Sequence, residues 1–502
     1  MILKYDQKTK FYYCLHKPDE KYIPANAGFK PHLGYKCYVT KSPFIAYKLQ
    51  EYADKSAIEV MDLISKNIKL SFLDCLPNQP DNGLLPFQHA GVNVAIHQFK
   101  VRNTVLLGDD PGLGKTIQAL SIANKLNAKK LLIVVPAQGR VNWVQEAEKW
   151  HIYNNGMVPI FKKTDKPDNT KSLVTSYELL ETTQDYKPDL TVIDEAHFIK
   201  NPNAKRTGFI LNNLLKKSKV LLMSGTIAPN GKPHEMYNIL SRCAPYAIDG
   251  MSYYHFLNRF CDWYIDDYGN EKIKGPKNEE EFSNRLRGSG FMIRRLKKDV
   301  LESLPRMYKL AVLTGNAQTD KIIKQEKQFS AAQILENSNS IGGYSATLRR
   351  EMGIAKVPVC VPYLVDLLNK EKKIVIFSWH LEVSELLKEY LNGYNPVILT
   401  GKTPAKKKQE AKDRFQNDPA CRVFIGNIRA GGTVITLTAS SNIVMMEPSW
   451  VPGEDEQAIC RIDRISQTKG VLIHYPVIDG SLDALILKTM LSKRENVKKI
   501  TD

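Results

Sequence analysis

The chain has 502 residues, 43% of them hydrophobic and 25% charged, a length and composition that suit roughly three or four globular units and exclude a fibrous, low-complexity or disulfide-stapled protein. Lys and Arg outnumber Asp and Glu by 71 to 53, a net charge of +18 that points to a polyanionic partner. No stretch nears the roughly 18–20 apolar residues of a membrane span, and the polar start MILKYDQKTK lacks the apolar core of a signal peptide, so no membrane partner is expected. The eight cysteines, Cys14, Cys37, Cys75, Cys243, Cys261, Cys360, Cys421 and Cys460, never stand at Cys-x-x-Cys spacing. They are expected to be reduced, with no structural zinc.

Residues 1–80 alternate aromatic and polar side chains around Phe11 to Tyr13 and turn at Pro24, Gly28 and Gly34. This predicts a small α+β module of short strands, a helix over Pro43 to Ala53 capped by Ser42, and a second helix near Ala57 to Ser65. Cys75 to Gly83 is rich in Pro, Asn and Asp and is expected to be a linker. From 84 to 300 the runs TVLLG, LLIVVP, LTVID and KVLLMSG alternate with helical stretches, the pattern of a parallel sheet with crossover helices, with a helical insertion near 230–300. Residues 300–345 are polar and predict a helical connection without a strand. A second alternating series follows over 346–502, with KKIVIFS, PVILTG, CRVFIG, SNIVMMEP and GVLIHYPV as strands and a helix at 481–495. The fold class is therefore α/β, with two tandem parallel-sheet units behind a small N-terminal module.

Four motifs carry chemistry. The run from Gly108 to Thr116, GDDPGLGKT, leaves a strand and opens a helix. That context lets backbone N–H groups at Gly112 and Gly114 close around phosphates while Lys115 reaches the β and γ phosphates and Thr116 binds Mg²⁺. Asp109 stands where the generic loop has glycine. Asp194-Glu195-Ala196-His197 ends the run LTVID at the carboxyl edge of a strand, where open α/β sheets bind ligands. Asp194 can hold Mg²⁺ through water, and Glu195 can orient or deprotonate an attacking water. A helix cap is the plain alternative for an isolated acidic pair. Ser224-Gly225-Thr226 closes another strand and can link the nucleotide site to a neighbouring surface, or form a simple turn. The last motif runs from Gln457 to Gln467, QAICRIDRISQ, and is read as helical. Arg461 and Arg464 then project from one face and suit a polyphosphate, unless that face is merely solvated with Asp463 as partner.

Taken together, from about residue 84 to 495, the chain resembles superfamily 2 ATPases of the SWI/SNF-like group. The resemblance rests on LLPFQHAGV, DDPGLGKTIQAL, IVVPAQGRVNW, LVTSYELL, DEAHFIKNPNAKR, MSGTIAPN, MIRRLKKDVLESLP, KKIVIFSWH, RAGGTVITLTAS and the Gln457 to Gln467 run, in family order. It implies two RecA-like lobes with ATP and Mg²⁺ as cofactors. ATP would be held by Gln88, Asp110, Gly112, Leu113, Gly114, Lys115 and Thr116. Lys115, Asp194 and Glu195 would act from lobe one and Arg461 and Arg464 from lobe two, with Ser224, Gly225, Thr226 and Gln457 coupling the lobes. Gln138, Arg140, Arg206, Trp379, Arg429 and Thr436 are the implied DNA contacts. Departures in two of these motifs concern coupling: Asp463 stands where His is common and Ser466 where Gly is common, and Thr433-Val434-Ile435 replaces a glycine-containing run. The segment AGFKPHLGYKCYVTKSPFIAYKL resembles the small module of annealing-helicase (HARP-like) relatives, which implies branched DNA as a ligand. The expected activity is ATP-dependent movement on double-stranded DNA with branch migration or fork regression, by a monomer in the cytoplasm of a bacterium or phage-infected host, beside recombination or replication proteins. A motor subunit of a nuclease or restriction system, and a passive DNA-annealing protein, are the alternatives.

Overall fold

The computed structural model describes residues 1–32, 34, 37–72, 83–150, 156–226, 228–300, 306–327, 342–401, 403–428, 435–449, 451–465, 467–484 and 487. The expected linker at Cys75 to Gly83, save Gly83 itself, and most of the expected helix at 481–495 lie outside them.

Strands β1 (Ile2–Asp6), β2 (Phe11–Leu15), β3 (Lys30–His32) and β4 (Cys37–Thr40) form an antiparallel sheet in the order β1-β2-β4-β3. The helix capped by the Ser42 hydroxyl covers only Pro43–Tyr47 and continues as a single 3₁₀ turn, Gln50–Tyr52. The second helix is longer than its sequence signal, Lys55–Phe72. Its extra turns have a tertiary cause. They pack on the helix Glu279–Gly288: Asn67 Nδ2 donates to Gly288 O (2.9 Å), and a Cβ at Gly288 would stand 3.5 Å from Ile68 Cγ1. Arg285, fully buried, completes the junction. It donates to Glu281 Oε1 (2.9 Å) and Asp249 Oδ2 (2.7 Å), and to Ser42 Oγ of the module (3.2 Å). Burial alone would raise the Glu281 carboxyl; hydrogen bonds and charge from Arg259, Arg285 and Lys48 outweigh it and hold it at about 2. The N-terminal module is thus bolted to the following lobe by a buried ionic cluster.

Lobe one contains β5 (Thr104–Leu107), β6 (Leu131–Val135), β7 (Met157–Pro159), β8 (Ser172–Ser176), β9 (Leu190–Asp194), β10 (Lys219–Met223) and β13 (Met292–Ile293). They form one parallel sheet ordered β13-β5-β10-β9-β6-β8-β7. The central strands are buried on both faces, which is why they read as continuous apolar runs rather than alternating ones. The insertion before β13 is not wholly helical: β11 (Cys261–Ile265) and β12 (Glu271–Pro276) make an antiparallel hairpin within it.

Residues 300–345 require a correction. Met307–Leu313 forms β14, which pairs in parallel with β19 (Leu472–Ile478) over seven residues. The strand is the edge of the second sheet, ordered β14-β19-β18-β15-β17-β16, with β15 (Ile374–Ser378), β16 (Val397–Leu399), β17 (Val423–Asn427) and β18 (Asn442–Met445). Its pairing partner lies some 160 residues downstream, and only Ala311 of the seven is buried, so the short apolar run Leu310 to Leu313 is its only local sign in the sequence. The helix preceding β15 runs from Gly342 to Lys370 and accommodates Pro358 and Pro362.

Candidate active site

The phosphate-loop segment leaves β5 and enters the helix Lys115–Lys125 through Gly114, which is left-handed at φ +76. A side chain there would be strained, and its Cβ would meet Gln88 Nε2 at 2.5 Å. Gln88 is buried and serves the loop itself. Its amide donates to Leu113 O (3.1 Å) while its oxygen accepts from Leu85 N–H (2.9 Å). Lys115 Nζ donates to the carbonyls of Asp109 (2.7 Å) and Asp110 (3.2 Å), drawn in over the loop it is expected to serve.

The two aspartates that open the loop have structural partners that sequence spacing did not show. Asp109 is fully buried and accepts from Arg295 Nη2 (2.5 Å), Arg295 N–H (3.0 Å) and Gln118 Nε2 (3.0 Å). Asp110, expected at the nucleotide, has its carboxylate held by Arg294 Nη2 (3.1 Å) and Lys297 N–H (2.9 Å). The run MIRRLKKDV therefore clamps the mouth of the loop from 184 to 187 residues away. A glycine at position 109 would leave the Arg295 charge buried and unpaired.

Asp194 and Glu195 close β9 beside the loop. Glu195 is left-handed at φ +56, a costly conformation for a residue with a Cβ. Tyr177, buried in the LVTSYELL segment, fixes this kink by donating its hydroxyl to the carbonyls of Asp194 (2.6 Å) and Glu195 (3.2 Å). Trp143 Nε1 donates to Asp194 Oδ2 at 3.0 Å. Neither residue was singled out by the sequence, although both lie in motifs it identified. Burial, then the Glu195 charge, pushes the Asp194 carboxyl up to about 6 against the pull of Trp143 and Lys115. Burial also raises Glu195, but His197, Lys115 and Arg461 outweigh it and its carboxyl lies below the ordinary value. Glu195 is consequently the more readily ionised of the pair and is an anion throughout the neutral range, the state a general base needs. Its Oε2 is buried 3.4 Å from His197 Nδ1, and that ring bonds Ser224 Oγ at 3.2 Å. The acidic motif and the Ser224-Gly225-Thr226 turn are thus physically joined. Gly225 lies against the loop, with Pro111 Cγ 2.6 Å from the position a Cβ would take.

Lobe two meets these elements with the Gln457 to Gln467 run, but not as one helix. The helix spans Pro452–Ile459, and Arg461 and Arg464 lie on the tight turns after it. They are brought to the cleft by that turn rather than by a shared helical face. The Arg464 guanidinium donates to Ile435 O (3.1 Å) and Cys460 O (3.3 Å). Burial, then the neighbouring Arg461 charge, lowers it to about 10. Arg461 is lowered by burial and supported by the charges of Glu195 and Asp194. Gln457 stands on the same helix as Gly453, whose Cβ position is 3.4 Å from Thr226 Cβ, so the Ser-Gly-Thr turn packs directly on lobe two.

The expected DNA contacts are dispersed. Gln138 is exposed and Thr436 half-buried. Arg140 bridges the carbonyls of Ala137 (2.8 Å) and Ile160 (2.7 Å) and covers Phe161, which makes it a brace of lobe one. Arg206 donates to Phe198 O at 3.0 Å. Trp379 is half-buried under Arg349. Arg429, Ser466 and the run Thr433-Val434 lie outside the described residues.

A glycine loop with its lysine, an acidic pair at a strand end and two arginines from a second parallel-sheet lobe define a two-lobed ATPase with its nucleotide cleft between the sheets. The SNF2-related domain model matches residues 87–354, more than half of the chain, and the helicase conserved C-terminal domain matches 359–466. The chain belongs to the SNF2-related family, the SWI/SNF-like ATPases of superfamily 2. It is 29% identical to the mouse DNA annealing helicase and endonuclease ZRANB3, over 85% of this chain and 41% of that protein. It is 30% identical to the Xenopus laevis SWI/SNF-related matrix-associated actin-dependent regulator of chromatin subfamily A-like protein 1, over 87% of this chain and 46% of that protein. The chain thus spans less than half the length of these relatives. The Sulfolobus solfataricus SWI2/SNF2 ATPase core in complex with dsDNA is similar at 23% identity and TM-score 0.40, covering 84% of this chain and 94% of that one.

Proposed function

We propose that this ATPase is a translocase on double-stranded DNA that remodels branched DNA by branch migration or fork regression. The observation that carries it is the cleft itself, where Asp194 and Glu195 of lobe one meet the Arg461 charge of lobe two. A site completed only by both lobes makes turnover depend on closure, and closure is a mechanical step. Lys115 and the loop N–H groups hold the phosphates, Glu195 orients the attacking water, and Arg461 and Arg464 meet the charge that develops on the γ-phosphate. Among the described residues no three His, Cys, Asp or Glu side chains gather as a metal cage. Mg²⁺ would be held by Thr116 and, through water, Asp194, and would neutralise phosphate charge there.

DNA is supported by the +18 charge and by relatives named annealing helicases. Gln138, Arg206, Trp379, Arg429 and Thr436 are the proposed contacts. Branched DNA is further supported by the N-terminal sheet, where Lys41 stacks over Phe11 (4.7 Å) beside Tyr13, and Lys4 is cross-strand to Tyr13. Such a basic and aromatic surface suits unpaired nucleotides. The enzyme is proposed to act in the cytoplasm as a monomer.

The test is ATP turnover by the wild type and Lys115→Ala, without DNA and with single-stranded, duplex and four-way-junction DNA. Strong stimulation by duplex or junction, absent in the variant, is expected. A wild type that no DNA stimulates would overturn the translocase reading.

A further inference from the structure

Asp463 is the one acidic residue between the two cleft arginines, Arg461 and Arg464, and nothing in the phosphate chemistry calls for a negative charge there. It is 5% exposed, and a buried carboxylate persists only with partners. It has two. Lys297 Nζ donates to Oδ1 and Arg306 Nε to Oδ2.

Both partners are tied elsewhere. The Lys297 backbone N–H holds Asp110 of the phosphate loop at 2.9 Å. Arg306, just before β14, pairs with Glu456 and donates to Cys460 Sγ at 3.3 Å, both on the segment that leads into Asp463. One residue of lobe one thus touches the loop through its backbone and the arginine turn through its side chain. The turn itself lies on the loop: a Cβ at Gly112 would meet Asp463 O at 3.1 Å and Arg464 Cα at 3.8 Å. Arg464 follows Asp463 directly, so a shift of that carboxylate moves the arginine.

We propose that Asp463 is a positioning residue: its carboxylate, latched by Lys297 of lobe one and Arg306 of the inter-lobe segment, sets the Arg461–Arg464 turn against the phosphate loop for hydrolysis. Its carboxylate hydrogen bonds go to Lys297 and Arg306 rather than to the nucleotide-holding groups Lys115 and Thr116. The latch serves the closed arrangement in which hydrolysis occurs, and nucleotide held by lobe one alone does not require it. The proposal rests on the ATPase reading of this cleft.

The experiment measures kcat, KM for ATP and the affinity for ADP in the full chain with duplex DNA, for the wild type, Asp463→Asn, Asp463→Glu, Lys297→Met and the double variant. With the arginines displaced, Asp463→Asn is expected to lose roughly a hundredfold in kcat with ADP affinity little changed. Asp463→Glu, which keeps the charge, recovers part of the loss. Lys297→Met falls similarly, and the double variant is no worse than the poorer single one, the mark of residues acting as a unit. Unchanged kcat in Asp463→Asn, parallel loss of ADP affinity, or losses that multiply in the double variant each overturn the latch. If Asp463→Asn does not fold, the kcat against affinity split of Lys297→Met decides alone. A wild type without turnover would defeat the ATPase reading itself, a result distinguishable from an active wild type with an indifferent Asp463.

Discussion

The two lobes contribute to one cleft by different physical means. Lobe one's share is built from buried hydrogen-bonded contacts: Gln88 on Leu113, Arg295 on Asp109, Trp143 on Asp194 and Tyr177 on the carbonyls of Asp194 and Glu195. Lobe two's share is a turn beyond a helix end, its arginines propped on carbonyls and its one carboxylate anchored to Lys297 and Arg306. A pre-organised half beside a docked half separates holding a nucleotide from hydrolysing it.

The sharpest break of that comparison sets Lys115→Ala against Arg461→Ala. Arg461→Ala is expected to lose roughly a thousandfold or more in kcat while ATP-analogue binding persists, whereas Lys115→Ala loses binding, both read by turnover and equilibrium titration. Equal loss of binding in the two would erase the distinction. Next, Arg295→Met should destabilise lobe one by about 3–5 kcal/mol, because Asp109 is left as a buried, unpaired charge; thermal unfolding checks this, and an unchanged melting temperature would show the pair is not needed. Tyr177→Phe removes the hydroxyl under the Asp194–Glu195 kink and should cost about 1–3 kcal/mol at the transition state, roughly 5- to 150-fold in kcat, with ADP affinity retained. The smallest effect concerns pH. Asp194 must be ionised to help hold a cation, and burial with the Glu195 charge raises it to about 6, so kcat/KM should fall as pH drops through 6. The raised value makes the free protein bind an extra proton between the ordinary carboxylate range and 6, so this group's contribution to stability rises as pH falls through that window. Trp143→Phe removes a bond to the anion and should move the acid limb to higher pH.

How much of this was legible beforehand depended on distance along the chain. The loop at Gly108 to Thr116 and the Asp194–Glu195 pair were legible because each is a strand, a turn and its ligating side chains within about a dozen residues, and burial on both faces writes the strands as apolar runs. The same local logic failed for Arg461 and Arg464, where i,i+3 spacing implied a helical face and the helix stops at Ile459. It failed for β14, an edge strand defined only by pairing with β19.

What the sequence determined by itself was the class of machine: two α/β units, a phosphate loop, an acidic pair and a paired-arginine motif in family order. Tertiary structure alone decided what those motifs lean on. Asp110 answers to Lys297, Asp109 to Arg295, Asp194 to Trp143, and Asp463 to Lys297 and Arg306. These pairings join residues 51 to 187 positions apart, and no periodicity or spacing encodes them. They exist because buried charges must find partners wherever folding brings the chain back on itself.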